Sequence, residues 1–314
     1  MAQNLRKTPI ILITGSTSFV CRYLVASLLS QTDFNIVLTY KDKKGSYEDN
    51  SRLFFEKYDL LKPESFDTII AHYKPKHIVH LAAMARLWEG EKYPNKVIRA
   101  NVIGSIVLAK LAIKYKAESM IFTSSNLAQD AVSVVGTGKL LLEQYFQKSD
   151  SQTTRLISLR MPNVIDSNGS VTLIFKRQIE NDQPITVTHP DMSRMFVTGE
   201  NSAKLLYYLI NHGINKGVYV SYEKPLKITD LAENMIKASG KDIKIKYTGI
   251  KPGEKLSEKS FTSDEIIKTD IDGLGMIADY KFEKDRSIQA INFLNKTKEI
   301  RLDKDIQNIF AELC

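Results

Sequence analysis

The chain has 314 residues, 43% of them hydrophobic and 25% charged, so it is long enough for one large α/β domain or for a nucleotide-binding domain with a smaller second lobe. The 44 lysines and arginines exceed the 36 aspartates and glutamates, but the lysines are spread along the chain without the basic, aromatic-interleaved block that would favour nucleic-acid binding. No run of roughly 20 apolar residues predicts a membrane span. The two cysteines, Cys21 and Cys314, give neither a disulfide framework nor metal-ligand spacing, so we expect a cytoplasmic protein without a bound metal.

Short apolar runs alternate with longer amphipathic segments through the first half of the chain, and this alternation predicts βαβ units. The predicted strands are 10–13, 35–39, 77–80, 119–122 and 155–160, and the predicted helices are 22–29, 65–73, 97–115 and 139–147. The strand sequences IILI, NIVLT, HIVH and MIFT are almost continuously apolar or β-branched, as expected for parallel strands buried on both faces. The sequence therefore predicts an α/β fold of the Rossmann type with a doubly wound parallel sheet.

The alternation becomes less regular after Pro162. Here the predicted strands are 185–188 and 218–221, the predicted helices are 203–210 and 229–238, and the charged tail 283–314 is predicted to be helical. We expect a dinucleotide-binding Rossmann domain over 1–160 and a smaller substrate-binding lobe over 161–314, with chain segments that interleave between the two.

The first strand is followed by TGSTSFVC, residues 14–21, where a Rossmann fold places the turn that holds a pyrophosphate against a helix N-terminus. Gly15 is the one glycine present, and Ser18 and Cys21 stand at the second and third positions of a GxxGxxG spacing. Because both are small, the pattern fits a weakened phosphate cradle as well as a lost one. The candidate cradle residues are Gly15, Thr17, Ser18, Phe19 and Val20.

Lys41 follows the second predicted strand, where a basic side chain would accept a ribose 2′-phosphate and an acidic one would bind the 2′-hydroxyl. This position favours NADP over NAD. An equally good interpretation makes Lys41 part of a solvated run of lysines.

Three segments carry a family resemblance: FTSSNLAQDAVSVVGTGKLLLE (122–143), RMPNVIDSNGSVTLIFKRQIENDQPITVTHPDMSRMFVT (160–198) and TGIKPGEKLSE (248–258). Over about residues 8–265 the chain resembles the extended short-chain dehydrogenase/reductase superfamily. More narrowly, it is similar to the bacterial polysaccharide-biosynthesis family of UDP-N-acetylglucosamine 4,6-dehydratases and 5-epimerases. The resemblance implies NADP or NAD as cofactor and a nucleotide sugar such as UDP-N-acetylglucosamine as ligand.

The resemblance also implies roles for individual residues. The implied cofactor-binding residues are Asp59, Leu60, Ala82, Ala83, Asn101 and Lys139, and the implied substrate-binding residues are Asn163, Arg194, Lys251 and Glu254. Lys251 departs from the arginine usual in the family, and a lysine gives a point charge in place of a planar fork. We therefore expect Lys251 to bind a diphosphate more weakly than the family's arginine, which can donate two parallel hydrogen bonds.

The catalytic segment matches the family at Ser124 and Lys139, with Ser125 as a further candidate catalytic residue, but departs from it at the proton-transfer positions. Asn126 and Leu127 replace the aspartate and lysine of the family's acid/base pair, and Val135 stands where the superfamily's tyrosine belongs. An amide does not exchange a proton near neutral pH, and Leu and Val have none to exchange.

Two functions fit this combination. The first is an NAD(P)-dependent nucleotide-sugar dehydratase or epimerase, a lyase-type enzyme with weak or absent 4,6-dehydratase turnover. The second is an inactive homologue that binds a nucleotide sugar or a catalytic paralogue as a partner or regulator. A homo-oligomer, or a complex with a paralogous dehydratase, is an expected assembly, whereas nucleic acid and membranes are not expected partners.

Overall fold

The computed structural model describes residues 8–129, 131–251, 253–258, 265–296 and 304–313. The helices are α1 (Phe19–Gln31), α2 (Ser65–Tyr73), α3 (Leu87–Lys92), α4 (Pro94–Ile98), α5 (Ser105–Lys114), α6 (Val134–Lys148), α7 (Val171–Glu180), α8 (Gly199–His212), α9 (Ile228–Ser239), α10 (Lys284–Lys296) and α11 (Lys304–Leu313). The strands are β1 (Ile10–Thr14), β2 (Asn35–Tyr40), β3 (Leu53–Lys57), β4 (His77–His80), β5 (Ser119–Ser125), β6 (Arg155–Met161), β7 (Asn163–Val164), β8 (Ile185–Val187), β9 (Ser193–Arg194), β10 (Phe196–Val197), β11 (Val218–Ser221), β12 (Leu226–Lys227), β13 (Ile245–Tyr247), β14 (Ile266–Lys268) and β15 (Leu274–Ile277).

One large sheet organises the described part of the chain, in the strand order β14-β15-β11-β6-β5-β4-β1-β2-β3. Pairing is parallel from β3 across to β11, and β15 runs antiparallel to both of its neighbours. The strand order reverses beside β1, since β2 and β3 extend to one side and β4, β5 and β6 to the other. In open α/β sheets such a switch point forms a crevice at the carboxyl ends of the strands, where ligands bind.

The predicted Rossmann-type α/β fold is confirmed, and each of the five strands predicted in the first half is present. The predicted helix 97–115 is α4 and α5 joined by a π-helical turn over Arg99–Gly104. Strand β3 escaped prediction because its five residues, LFFEK, are only half-buried and end on two charges. Helix α6 begins five residues before its predicted start, where Ser133 Oγ accepts a hydrogen bond of 3.1 Å from the Gly136 backbone N–H.

Hydrophobic clusters cover both faces of the sheet, as a doubly wound arrangement requires. One face packs against α2, α5 and α6, for example through Phe66, Leu108 and Phe146. The other packs against α1 and α8 through Leu24 and Leu206. Central strands such as β1 and β4 are therefore fully buried, which explains their unbroken apolar sequences.

A smaller cluster forms the centre of a C-terminal lobe. Phe175 of α7, Ile185 of β8 and Ala232 of α9 are buried in it, and β8 pairs in parallel with β13. The residues after Met161 do not all stay in this lobe, because β11, β14 and β15 return to the large sheet. The division into a domain over 1–160 and a lobe over 161–314 stays a prediction.

The charged tail is helical in its described part, as predicted, and α10 and α11 pack beside α6. Leu294 and Phe310 belong to the same buried cluster as the α6 residue Phe146. Within the described ranges every helix is too short or too polar to cross a lipid bilayer.

Candidate functional site

The turn after β1 has the geometry that only glycine accepts without strain. Gly15 has φ +80°, and a Cβ atom there would lie 3.0 Å from the Cα of Ala82. The Ser16 backbone N–H donates to Thr39 O at 2.8 Å and the Ser18 N–H to Gly15 O at 2.9 Å, so the turn is fixed before α1 begins. Helix α1 begins directly after this turn, and the free N–H groups of a helix N-terminus are what an anion cradle requires.

The other two positions of the glycine pattern are filled differently. Ser18 stands just before α1 and is half-buried, whereas Cys21 is fully buried in the cluster between α1 and the sheet. Burial raises the pKa of the Cys21 thiol to about 12. The thiol thus packs as a small apolar group between helix and strand, which is where the third glycine of such a turn allows close packing.

A segment after β2 that sequence reasoning missed braces this turn from outside. The Tyr47 hydroxyl donates to Ser16 O at 2.6 Å, and the Gly45 N–H donates to Ser16 Oγ at 3.1 Å. A Cβ at Gly45 would lie only 2.2 Å from Ser16 O, so this approach needs glycine. A lone glycine and tyrosine in a polar loop carry no signal in sequence that could have located them here.

Two predicted cofactor residues pair with each other at the ends of β2 and β3. Lys41 Nζ lies 3.4 Å from Asp59 Oδ2, with both side chains partly exposed. Asp59 Oδ1 also accepts from the Leu61 N–H at 3.0 Å, which fixes the carboxylate. A paired Lys41 offers less positive charge to a ribose 2′-phosphate than a free one.

Asn101 holds the loop that follows β4. Its Oδ1 accepts from the Met84 N–H at 2.9 Å and its Nδ2 donates to Met84 O at 2.8 Å. The predicted cofactor residues Ala82 and Ala83 belong to this loop and are half-buried, and the predicted cofactor residue Leu60 is half-buried as well. Asn101 thus positions the loop through two backbone bonds.

A buried hydrogen-bond chain joins β1 and β4 to α5. Thr14 Oγ1 accepts from the Ala82 N–H at 3.1 Å and lies 2.8 Å from His80 Nδ1, while His80 Nε2 lies 2.8 Å from Ser105 Oγ. Burial, and to a lesser extent the charge of Lys139, lowers the pKa of His80 to about 3. A neutral imidazole that accepts from Thr14 and donates to Ser105 satisfies all of these contacts. His80 is therefore a structural histidine.

The two serines at the end of β5 point to different surroundings. Ser124 Oγ donates to Glu143 Oε1 at 2.6 Å, and the same carboxylate binds the buried guanidinium of Arg160 through bonds of 2.9 and 2.6 Å. Tyr280 OH donates to Glu143 Oε2 at 2.7 Å. Ser125 instead lines a cleft at the carboxyl edge of the sheet. Of the two, Ser125 is therefore the one that lines a cleft.

Lys139 lies below the same strand end. Its Nζ donates to Thr123 O at 2.7 Å and lies 4.6 Å from the centre of the Phe122 ring. Burial lowers the pKa of Lys139 to about 8, although the negative charge of Glu143 acts in the opposite direction. A lysine with this pKa donates hydrogen bonds at neutral pH and gives up its proton more readily than an exposed one.

Val135, at the position of the superfamily's tyrosine, is buried and tightly packed. Val135 is 2% exposed, and a Cβ at Gly90 would lie 2.9 Å from its Cγ2, so α3 presses directly on this valine. Leu127 is half-buried and lines the Ser125 cleft. Asn126 is 5% exposed, and its Nδ2 donates to Glu258 Oε2 at 3.3 Å.

The Ser125 cleft has a volume of about 140 Å³ and brings together the ends of β5 and β6 with the C-terminal lobe. Its lining residues are Ala85, Leu87, Ser125, Leu127, Pro162, Asn163, Arg194, Lys255 and Glu258. Arg194 Nε lies 3.7 Å from Glu258 Oε1, and Asn163 Nδ2 donates to the same oxygen at 3.4 Å. The predicted substrate residues Asn163 and Arg194 therefore meet at one carboxylate, Glu258, whose role sequence reasoning missed although it ends the quoted GEKLSE segment.

The other two predicted substrate residues lie on the same segment but apart from the cleft lining. The Lys251 N–H donates to Glu254 Oε2 at 3.1 Å, and the Lys251 side chain is exposed. Farther along, the Ser193 N–H donates to Leu256 O at 3.0 Å. That bond links the end of the segment to β9, the strand that contains Arg194. Among the described residues, no three His, Cys, Asp or Glu side chains gather in a way that could hold a metal ion.

The family model for polysaccharide biosynthesis proteins matches residues 11–278. The chain belongs to this family. It is 35% identical over 204 residues to the capsular polysaccharide biosynthesis protein CapD of Staphylococcus aureus, a match that covers 63% of this chain and 34% of CapD. It is 30% identical over 278 residues to the probable polysaccharide biosynthesis protein EpsC of Bacillus subtilis strain 168, covering 84% and 46%. The chain thus spans less than half the length of these two curated relatives.

Solved structures show the same fold. Pen from Bacillus thuringiensis has a TM-score of 0.78 at 25% identity, covering 88% of this chain and 89% of Pen. The UDP-glucose 4-epimerase of Thermus thermophilus, solved in complex with NAD, has a TM-score of 0.71 at 16% identity, covering 97% and 98%. The expected resemblance to extended short-chain dehydrogenases of polysaccharide biosynthesis is therefore confirmed.

Proposed function

We propose that this polysaccharide biosynthesis protein is an NAD(P)-dependent nucleotide-sugar epimerase or dehydratase of surface-glycan synthesis, with low 4,6-dehydratase turnover. The observation that carries the proposal is the Ser125 cleft. There Asn163 and Arg194 of the C-terminal lobe face the end of β5 at the carboxyl edge of a Rossmann sheet. A cation and an amide beside a dinucleotide crevice are suited to the diphosphate and hydroxyl groups of a nucleotide sugar.

The cofactor part of the proposal is supported by the Gly15 turn, the exposed Thr17 beside it and the first turn of α1 with Phe19 and Val20. A related fold binds NAD, according to the Thermus epimerase structure. When bound, the nicotinamide would supply hydride transfer. The Lys41–Asp59 pair favours NAD over NADP, the reverse of what Lys41 alone predicts.

Proton transfer is the step that this chain's residues support least. Ser125 can orient a sugar hydroxyl, and Lys139 can donate hydrogen bonds to a ribose. Glu258 is the carboxylate in the cleft, but it is already engaged by Arg194, Asn126 and Asn163. Its oxygens are therefore occupied by protein partners and not free to take a proton from a substrate, so we expect slow chemistry.

The alternative is a non-catalytic protein that binds a nucleotide sugar or a catalytic paralogue, and one observation favours it. Val135 is buried and packed against Gly90 of α3, so an apolar side chain without a proton to exchange fills the position of the superfamily's tyrosine. We place either function in the cytoplasm, in keeping with the buried, free thiol of Cys21.

The deciding experiment is incubation of purified protein with UDP-N-acetylglucosamine or UDP-glucose and with NAD or NADP, each pair separately. A slow 4-keto or epimerised product, detected by mass spectrometry and NMR, supports the enzyme. Arg194→Ala should abolish product and ligand-induced thermal stabilisation together. Thermal stabilisation without product in any combination would leave the binding function and exclude the enzyme. No stabilisation by either nucleotide sugar would overturn the enzyme and the sugar-binding form of the alternative, and would leave the binding of a paralogue.

A further inference from the structure

Residues 280–286 lead from β15 into the first turn of α10 and contact the buried ion pair beneath the end of β5; we call them the tail connector. The Tyr280 hydroxyl donates to Glu143 Oε2 at 2.7 Å. It accepts from Gln144 Nε2 at 3.2 Å and from Arg160 Nη2 at 3.3 Å. A hydroxyl has one donor and two lone pairs, so every hydrogen-bonding position of Tyr280 is filled.

The second contact of the tail connector is made by Arg286. Its Nη2 donates to Gln129 O at 2.7 Å and, over a longer distance of 3.4 Å, to Ala128 O. These carbonyls end the 3₁₀ turn Asn126–Ala128, which follows β5. The last carbonyls of a helical turn have no partner within it, so a cation that donates to them holds the turn in place.

The two contacts hold opposite ends of one short segment, residues 124–129. At its start, Ser124 Oγ donates to Glu143 at 2.6 Å, and Tyr280 donates to the same carboxylate. At its end are the two carbonyls that accept from Arg286. A segment fixed at both ends has fewer accessible backbone conformations than a segment fixed at one end.

The residues between these ends form part of the wall of the Ser125 cleft, since Ser125 and Leu127 both line it. Hydrogen bonds at the wall itself are long. The Leu127 N–H donates to Ser125 Oγ at 3.3 Å, and Asn126 Nδ2 donates to Glu258 Oε2 at 3.3 Å. Both distances exceed the usual range for N–H···O bonds, so the position of the wall depends on the shorter bonds from the tail connector.

The attachment of α10 to the fold does not depend on Arg286. Helix α10 is held by Ala290, Ile291 and Leu294, which are buried in the same apolar cluster as α6. Arg286 is half-buried and binds neutral carbonyls, so its truncation leaves no buried charge unpaired. Its hydrogen bonds therefore affect the cleft wall more than the stability of the fold.

We propose that Tyr280 and Arg286 are positioning residues of the Ser125 cleft, which fix the backbone of residues 124–129 and so set the affinity of the cleft for its ligand. The class of that ligand, a nucleotide sugar, rests on the proposed function. Neither residue lines the cleft, so both act through the segment that they hold. When a contact is lost, the wall occupies its binding-competent position for a smaller fraction of the time, and the apparent affinity falls by that fraction.

Hydrogen exchange of the intact chain without ligand, followed by mass spectrometry, tests whether the wall is held. Arg286→Ala should speed exchange of the backbone amides of residues 126–129 about tenfold, as expected for the loss of one or two hydrogen bonds. Arg286→Lys keeps a cationic donor for the carbonyls and should restore most of the protection. Lys284→Ala removes an exposed cation from the same helical turn and is the matched control. Unchanged exchange in Arg286→Ala would overturn the inference.

Calorimetric titration tests the effect on binding, with UDP-N-acetylglucosamine or UDP-glucose, whichever the wild type binds more tightly. Arg286→Ala and Tyr280→Phe should each raise the Kd about tenfold, and Lys284→Ala should leave it unchanged. Arg286→Lys should return the Kd towards the wild-type value. A loss of affinity that Arg286→Lys does not reverse would show a general packing defect and would overturn the inference.

The two measurements separate this inference from the proposed function. If Arg286→Ala and Tyr280→Phe bind the nucleotide sugar as the wild type does, the inference is wrong and the proposed function stands. If the wild type binds neither nucleotide sugar, the proposed function fails. The positioning of the wall then stands if Arg286→Ala speeds exchange of residues 126–129, and it falls if the exchange is unchanged.

Discussion

The fold buries Lys139, and burial disfavours its positively charged form. Burial lowers its pKa from 10.5 to about 8. Between these two pH values the unfolded chain keeps a proton that the folded chain has lost, so the Lys139 contribution to the free energy of unfolding increases with pH across that window. We expect urea denaturation at a series of pH values to show this increase in the wild type relative to Lys139→Met. A difference between the two proteins that stays constant from about 8 to about 10.5 would contradict the assignment.

Glu143 and Arg160 form an ion pair with almost no solvent exposure, 0% and 1%. Burial alone would raise the pKa of Glu143, but the charge of Arg160 and hydrogen bonds from Arg160, Ser124 and Tyr280 hold it below its usual value. Glu143→Leu leaves a buried guanidinium unpaired and should lower the free energy of unfolding by about 3–5 kcal/mol. Replacing both partners, Glu143→Leu with Arg160→Met, should recover most of that loss. If Glu143→Leu alone were as stable as the wild type, the result would show that water reaches the Glu143–Arg160 pair.

Sequence reasoning located residues by type and spacing but could not assign their partners. Asn163 and Arg194 were predicted and do meet in one cleft, yet the carboxylate that joins them, Glu258, lies more than sixty positions away from either. Ser124 and Ser125 are equivalent in sequence. They differ in the structure because successive residues of a strand point to opposite faces, so one serine faces Glu143 and the other the cleft.

At the level of elements, the turn between β1 and α1 depends on Gly15 for two separate reasons, its φ of +80° and the proximity of Ala82. Gly240, which ends α9, shares the left-handed backbone at φ +68°, but no atom lies within 4 Å of the place where its Cβ would stand. Gly240→Ala should therefore cost only the backbone strain, about 1 kcal/mol. Gly15→Ala should cost measurably more in chemical denaturation and should also reduce NAD(P)-induced stabilisation, because the cradle shifts. Equal losses of the free energy of unfolding in the two variants would show that steric contact with Ala82 does not contribute.

The elements that were predicted well are those with both faces buried, since their apolar runs are continuous. Edge strands gave weaker patterns. The antiparallel pair β14 and β15 was missed because three and four residues with mixed burial do not form a recognisable period. The π-helical turn over Arg99–Gly104 was missed because a helical period continues through it without a break in hydrophobicity.

For the whole molecule, the most informative arrangement is the return of the C-terminal chain to the first half. Strands β11, β14 and β15 extend the sheet, and α10 and α11 pack beside α6, the helix that carries Lys139. Such long-range packing could not be read from the tail, whose composition is strongly charged. As a result, the buried Glu143 carboxylate on α6 depends on a residue more than 130 positions away, because the Tyr280 hydroxyl donates a hydrogen bond to it.

This arrangement predicts that the tail and the Rossmann sheet unfold together. Leu294 in α10 is fully buried against the α6 cluster, so Leu294→Ala should lower the free energy of unfolding by about 2–5 kcal/mol. Ile267 in β14 is 52% exposed, and Ile267→Ala should change the free energy by no more than about 0.5 kcal/mol. Circular dichroism in the far and near ultraviolet should follow one transition in both variants. A separate early transition in Leu294→Ala, with ligand binding retained after it, would show instead that the tail helices are an independent unit and that α6 holds Lys139 in place without them.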